Sequence, residues 1–233
     1  MAEDLNDFLA ARGPVAGRPL LGLTVLVVED SRFACEAMRL LCLRSGARIR
    51  RADCLRSARR HLQTYRPTVV IIDLGLPDGS GADLIAELAA MTPRVAVILG
   101  TSGCADLAAT AQKAGADGFL PKPIESLAAF QQMVLAALPD GPANPARTTE
   151  AGDRIAPDPM ALRDDLVHAA YLLGGAPTKA TLDYVSQFLS GVALSAHDAP
   201  LGDAARALGR LQGPGLQDLN RLVSDRLATG SLF

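Results

Sequence analysis

The chain has no tryptophan, and its aromatic residues amount to only 4% of 233 positions. With so few large rings the core must be built from Leu, Val, Ile and Ala, which suits an α/β or all-α architecture better than a β-sandwich. Cysteine is equally scarce. Cys35, Cys42, Cys54 and Cys104 contain no C-x-x-C pair, which argues against a disulfide framework or a zinc site. Because all four fall inside apolar segments, they read as reduced core thiols. The opening stretch "MAEDLNDFLAARG" carries acids where a secretory signal would be basic, and no window is long and apolar enough for a membrane span. The expected location is therefore the cytoplasm, with no membrane contact. A formal charge of −2 by itself implies neither nucleic acid nor membrane as a partner.

From Leu23 to Leu138 short β-rich runs alternate with amphipathic runs of helical period. The strand candidates cover residues 23–28, 47–52, 68–73, 95–100 and 117–121, and the helix candidates lie near 32–45, 54–65, 81–90, 104–114 and 125–138. The first, third and fourth strands are nearly continuous apolar runs, as expected where helices cover both faces of a parallel sheet. Five β/α units in succession predict a flavodoxin-like, doubly wound, five-stranded parallel sheet. Prolines at 139, 142, 145, 157 and 159 then interrupt any apolar period, so residues 139–157 read as a linker. Beyond it Asp158 is a plausible N-cap, with Pro159 at the first helical position. Leu162, Leu166, Ala169 and Leu173 recur on one face. Further helical stripes over 178–194, 200–211 and 216–227 predict that 158–233 is a small all-α bundle. Residues 1–20 read as an N-terminal extension.

One feature of the α/β half calls for chemistry. The apolar run "TVVIID" ends in a carboxylate, Asp73, which is costly at a buried strand end unless something pairs with it. In a parallel α/β sheet the ligand site lies beyond the carboxyl ends of the strands. Glu29 and Asp30 end the first strand there, Thr101 and Ser102 the fourth, and Lys122 and Pro123 the fifth. Three carboxylates so close would raise one another's pKa unless a hard cation neutralised them, and Mg²⁺ fits because it takes a few carboxylate oxygens and readily adds a phosphate oxygen. Asp73 can then attack phosphorus, giving an acyl phosphate. Taken singly, Glu29-Asp30 could be a helix N-terminal acid pair, Asp73 a turn cap, Thr101 a turn residue and Phe119 part of the core. Together they would require coincidences at four strand ends.

The segments "VLVVEDS", "VIIDLGLPDGSG", "VILGTSG" and "GFLPKP" resemble, in order and in spacing, the motifs of the response-regulator receiver domain of two-component signalling. The resemblance covers about residues 22–138. It implies that Asp73 is the phosphoacceptor, Asp30 a direct Mg²⁺ ligand and Glu29 its mostly water-mediated companion. It further implies that Gly75 offers a backbone carbonyl to the metal, that Thr101 and Phe119 form the switch pair, and that Lys122 contacts the phosphoryl group and precedes a cis peptide to Pro123. The phosphodonor would be a histidine kinase or a phosphotransfer protein. No further enzyme activity is implied beyond self-phosphorylation and slow hydrolysis of the acyl phosphate.

Nine arginines stand against one acid, Asp53, between Arg39 and Arg66, a local charge of +8 beside −10 for the rest of the chain. This cluster is either a solvated helical face or a surface that steers an acidic partner. No aromatics interleave with it, which argues against nucleic acid. From Arg154 to Phe233, 7 basic and 8 acidic residues leave no positive face for DNA. Signatures of common catalytic outputs are missing, and neither His168 nor His197 sits in a phosphotransfer motif. The expectation is a protein-interaction or dimerisation module controlled by the receiver. The alternatives are a divergent DNA-binding bundle or a phosphorelay intermediate or phosphate sink.

Overall fold

Period-two and period-3.6 segments alternate through the first half of the chain, and in the computed structural model, which describes residues 17–139, 153–210 and 214–229, they form a doubly wound sheet. In chain order the elements are β1 (Thr24–Val28), α1 (Arg32–Ser45), β2 (Arg48–Ala52), α2 (Leu55–Thr64) and β3 (Val69–Asp73). A small hairpin, β4 (Gly75–Leu76) and β5 (Gly79–Ser80), precedes α3 (Gly81–Ala90), β6 (Val97–Ser102), α4 (Ala108–Lys113), β7 (Gly118–Pro121) and α5 (Leu127–Ala137). The main sheet has the order β2-β1-β3-β6-β7, and every pair in it is parallel.

Alternate residues of the central strands feed two separate cores. Val25, Val27, Ile71 and Leu99 pack with Met38 and Leu41 of α1 and Phe130 and Val134 of α5. Leu26, Val28, Val70, Ile72 and Ile98 face Ala58, Leu84, Ile85, Leu88 and Ala111 on the opposite side. Burial on both faces is why these strands read as unbroken apolar runs. Helix α1 starts where the Ser31 hydroxyl accepts from the Ala34 amide and stops at left-handed Gly46.

The helices after the proline-rich stretch are α6 (Pro159–Leu173), α7 (Lys179–Ser195), α8 (Ala199–Arg210) and α9 (Pro214–Thr229), and among the described residues from Pro159 onward there is no strand. Asp158 caps α6 through the Met160 amide, with Pro159 in the first turn. Leu162, Leu166, Ala169 and Leu173 meet Val185, Leu189 and Val192 of α7, Leu201 and Ala205 of α8, and Leu219 and Val223 of α9 in one core. Phe33 of α1 belongs to this same core, so the bundle is packed directly on the sheet domain. Among the described residues, no helix is long and apolar enough to cross a membrane.

The structure corrects two sequence-level expectations. The four cysteines are not all core thiols: Cys35 and Cys42 are buried, but Cys54 is only half-buried and Cys104 is exposed. The helix expected at 104–114 begins as a 3-10 turn, Ala105–Leu107, and takes α form only from Ala108 to Lys113. Near the domain boundaries, Ile155 is buried in the receiver core, its amide bonds the Glu125 carbonyl, and Arg154 bridges to Ser126. At the other end Leu20, within the expected extension, is fully buried against the core. Residues 1–16, with the apolar trio Leu5, Phe8 and Leu9, lie outside the described residues, as do 140–152.

Candidate functional site

Strands β1, β3, β6 and β7 all deliver their last residues to one edge of the sheet. In-register pairing puts Asp73 beside Thr101 and Val28 beside Ile72, so Glu29, Asp30 and Asp73 emerge from adjacent strands. One carboxylate oxygen from each of the three lies within 4.8 Å of the others. Lys122, just after β7, places Nζ 2.7 Å from Glu29 Oε2 and 3.1 Å from Asp73 Oδ2. The Lys122–Pro123 peptide is cis.

All of these groups are buried except Asp30, which is partly so, and the chemistry of the cluster follows from that. Burial pushes Glu29 up to about 8; the charges of Asp73 and Asp30 add to the rise, and Lys122 opposes it. Asp30 is pushed up to about 6, mainly by burial. Burial works against the Lys122 ammonium, but Asp73 and Glu29 outweigh it and hold that group above its ordinary value. One oxygen of Glu29 accepts from the Ser31 amide at 3.2 Å. The other, Oε2, is buried against the Lys122 ammonium at 2.7 Å. Three carboxylates gathered within 4.8 Å at one strand-end edge, with a single ammonium between them, are a donor set that suits a hard cation. The three acids thus form a cluster of the metal-binding type.

The other positions singled out in the sequence are here too, in particular arrangements. Thr101 is buried and its hydroxyl donates to the Leu120 carbonyl at 2.7 Å, so in this structure it is engaged along β7. Phe119 is half-buried in the second core, close to Gly100. Gly75 opens the hairpin just past Asp73. Of the arginines between residues 39 and 66, Arg39 pairs with partly buried Glu36, Arg44 with Asp153 and Arg59 with Glu87; the last two are exposed pairs of small energetic weight. His168 is an exposed residue of α6, and His197 lies in the α7–α8 turn facing Glu125.

Gly81 fixes the loop that carries Asp73. A Cβ at this position would be driven into the Asp73 carbonyl oxygen, and the Gly81 amide already bonds the Leu74 carbonyl at 3.2 Å. Gly81→Ala is therefore expected to cost about 3 kcal/mol, because the oxygen it meets is backbone and cannot rotate away. Urea unfolding measures this, and a wild-type midpoint would show that the loop yields freely.

Sequence reasoning missed the residues that the helical bundle brings to this edge. Tyr184 of α7 donates to Asp30 Oδ2 at 2.5 Å, and Asp165 of α6 accepts from the Ser31 hydroxyl and the Arg32 and Phe33 amides. One signal was present: Asp165 is an acid between Leu162 and Ala169 on the inward stripe of its helix, where an unpaired charge is costly.

A profile of the response regulator receiver domain matches residues 25–134. That part of the chain is a response regulator receiver domain, and an additional all-α unit follows it. The chain is 32% identical over 99 residues to the KDP operon transcriptional regulatory protein KdpE of Escherichia coli, covering 42% of this chain and 44% of that one. It is 33% identical over 114 residues to the response regulator protein PilR of Pseudomonas aeruginosa, covering 48% and 25%. The chain thus spans about half the length, or less, of the curated relatives it matches. A Burkholderia pseudomallei response regulator, whose crystal structure holds a phosphorylated aspartic acid, a calcium ion and citrate, is 31% identical. It covers 53% of this chain and 69% of its own, with a TM-score of 0.42.

Proposed function

We propose that the chain is a two-component response regulator in which phosphoryl transfer to Asp73, dependent on Mg²⁺, controls the α6–α9 bundle. The observation that carries this reading is the convergence of Glu29, Asp30 and Asp73 with the Lys122 ammonium at the strand ends of a receiver domain. Glu29, Asp30, Asp73 and the Gly75 carbonyl would hold the ion, and when bound it neutralises carboxylate and phosphoryl charge. Asp73 is the nucleophile. As the P–N bond to a donor imidazole breaks, its electron pair stays on nitrogen, which takes up a proton, and a P–O bond forms to an Asp73 oxygen. Lys122 stays charged and sits at hydrogen-bond distance from Asp73, placed to hold the incoming phosphoryl oxygens.

After transfer the new dianion offers Thr101 a stronger acceptor than the Leu120 carbonyl. Its hydroxyl turns inward, and Phe119 follows into the space released. The donor class is a histidine kinase or a phosphotransfer protein. The bundle acts as a protein-interaction or self-association module, since its near-neutral balance of charge lacks the positive face that DNA requires.

The test is incubation with a phosphorylated kinase or with phosphoramidate, with and without Mg²⁺, followed by borohydride reduction and peptide mapping. Modification of Asp73 that depends on Mg²⁺ is expected. Modification at another residue, or undiminished in chelator, would overturn the assignment.

A further inference from the structure

Any group that delivers phosphorus to Asp73 must arrive from beyond the strand ends, and in this structure helix α7 lies there. Tyr184, Gln187, Phe188 and Gly191 recur at i, i+3, i+4 and i+7, so they share one face of α7. Tyr184 bonds Asp30 Oδ2. The Gln187 amide rests on Gly75, so closely that a Cβ on that glycine would collide with it. Gly191 has its Cα 3.2 Å from where a Cβ on Gly103 would stand, and a Cβ on Gly191 itself would be 3.7 Å from Lys122 Nζ. Both distances are contact distances, so this face of α7 packs directly against the loop after β6 and against the lysine.

What remains between α7 and Asp73 is a cavity of about 10 Å³, lined by Asp73, Asp30, Lys122, Gln187 and Gly191 among others. That is room for about one water, and a phosphoryl group with a hydrated cation does not fit. On the flank of Asp30 and Glu29, by contrast, an open cleft of about 1230 Å³ runs between the receiver and α6, and Asp73 does not line it. A small ion can therefore reach Asp30, while Asp73 stays covered.

The cover is held by a second set of contacts. Asp165 of α6 accepts from the Ser31 hydroxyl at 2.6 Å, the Arg32 amide at 2.8 Å and the Phe33 amide at 3.1 Å, which places a carboxylate on the N-terminus of α1. Phe33 inserts into the bundle core beside it.

We propose that the receiver's strand ends, with the first turn of α1, are a docking surface for which the chain's own α6–α7 face and an incoming phosphodonor compete. This inference rests on the reading of Asp73 as phosphoacceptor. Bundle and phosphoryl group exclude each other, so phosphorylation releases the α6–α7 face, and by linkage the docked face slows phosphorylation. Tyr184 holds Asp30 Oδ2, so a cation bound by Asp30 would compete with this contact of the docked face.

The test uses the full chain and two readouts. The first is hydrogen exchange of the Arg32 and Phe33 amides, whose acceptor is Asp165, before and after addition of Mg²⁺ with beryllofluoride. Exchange at both is expected to accelerate by roughly tenfold or more. The second is the rate of labelling by phosphoramidate, expected to rise by a similar factor in Asp165→Lys, which sets a cation against the helix N-terminus. Retained amide protection in the locked state overturns the proposal, and so does equal labelling of Asp73 in wild type and variant; the latter leaves the phosphoacceptor reading intact. No labelling of any chain, with the Arg32 and Phe33 amides freed in Asp165→Lys, overturns that reading and the proposal with it. The wild-type exchange measurement decides the matter even if Asp165→Lys folds poorly.

Discussion

Asp73→Asn is expected to remove all incorporation of phosphoryl label while leaving the fold intact. The amide keeps the shape of the side chain but is not a nucleophile at neutral pH, and no other carboxylate in the cluster shares its position. Asp30 is held by Tyr184, and Glu29 is tied to the Ser31 amide and to Lys122. Loss of function by unfolding is separable from loss of the nucleophile, because the two move stability in opposite directions. In chelator the substitution removes one of three mutually repelling acids, so the variant should be more stable than wild type by about 1 kcal/mol. The gain from added Mg²⁺ should shrink at the same time. Label retained in Asp73→Asn would place the acceptor elsewhere, and a variant less stable than wild type in chelator would show that the Lys122–Asp73 contact outweighs the repulsion.

How much of this was legible in the sequence depended on whether a signal was local. β1, β3 and β6 were readable because burial on both faces leaves an unbroken apolar run, and the acids ending β1 and β3 stood out against those runs. The bundle helices were readable from the Leu162–Leu173 stripe and its counterparts. The hairpin of β4 and β5 was not, because two-residue strands built on Gly75 and Gly79 carry no period. The environment of Cys104 was not readable either. An apolar neighbourhood in sequence became an exposed turn when the helix began four residues later in α form. Ile155, a single apolar residue among prolines and charges, gave no sign that it would enter the receiver core. Least legible was the docking of the bundle over the strand ends. It depends on Asp165 meeting amides more than a hundred positions away, which neither helix announces by itself.

The same buried acids make a pH-dependent prediction whose sign changes with metal. Glu29 and Asp30 ionise near 4.5 and 3.8 when unperturbed but are raised to about 8 and about 6 in the folded chain, chiefly by burial. A carboxyl raised on folding binds more protons in the native than in the unfolded state between those values. Its stabilising effect is therefore full below the unperturbed pKa and is lost as pH rises through the raised one. In chelator, stability should accordingly decline from about pH 5 to about pH 8, by an amount on the order of several kcal/mol. A bound divalent cation favours the ionised carboxylates, so its binding must expel protons across this window, and the stabilisation it confers should grow with pH. Urea midpoints at the two ends of that range, with chelator and with Mg²⁺, measure the crossing of the two trends. Calorimetry in buffers of different ionisation enthalpy counts the protons released. A flat midpoint in chelator would mean that Lys122 neutralises Glu29 more completely than burial penalises it, and the cluster would then be an ion-pair network settled before any metal arrives.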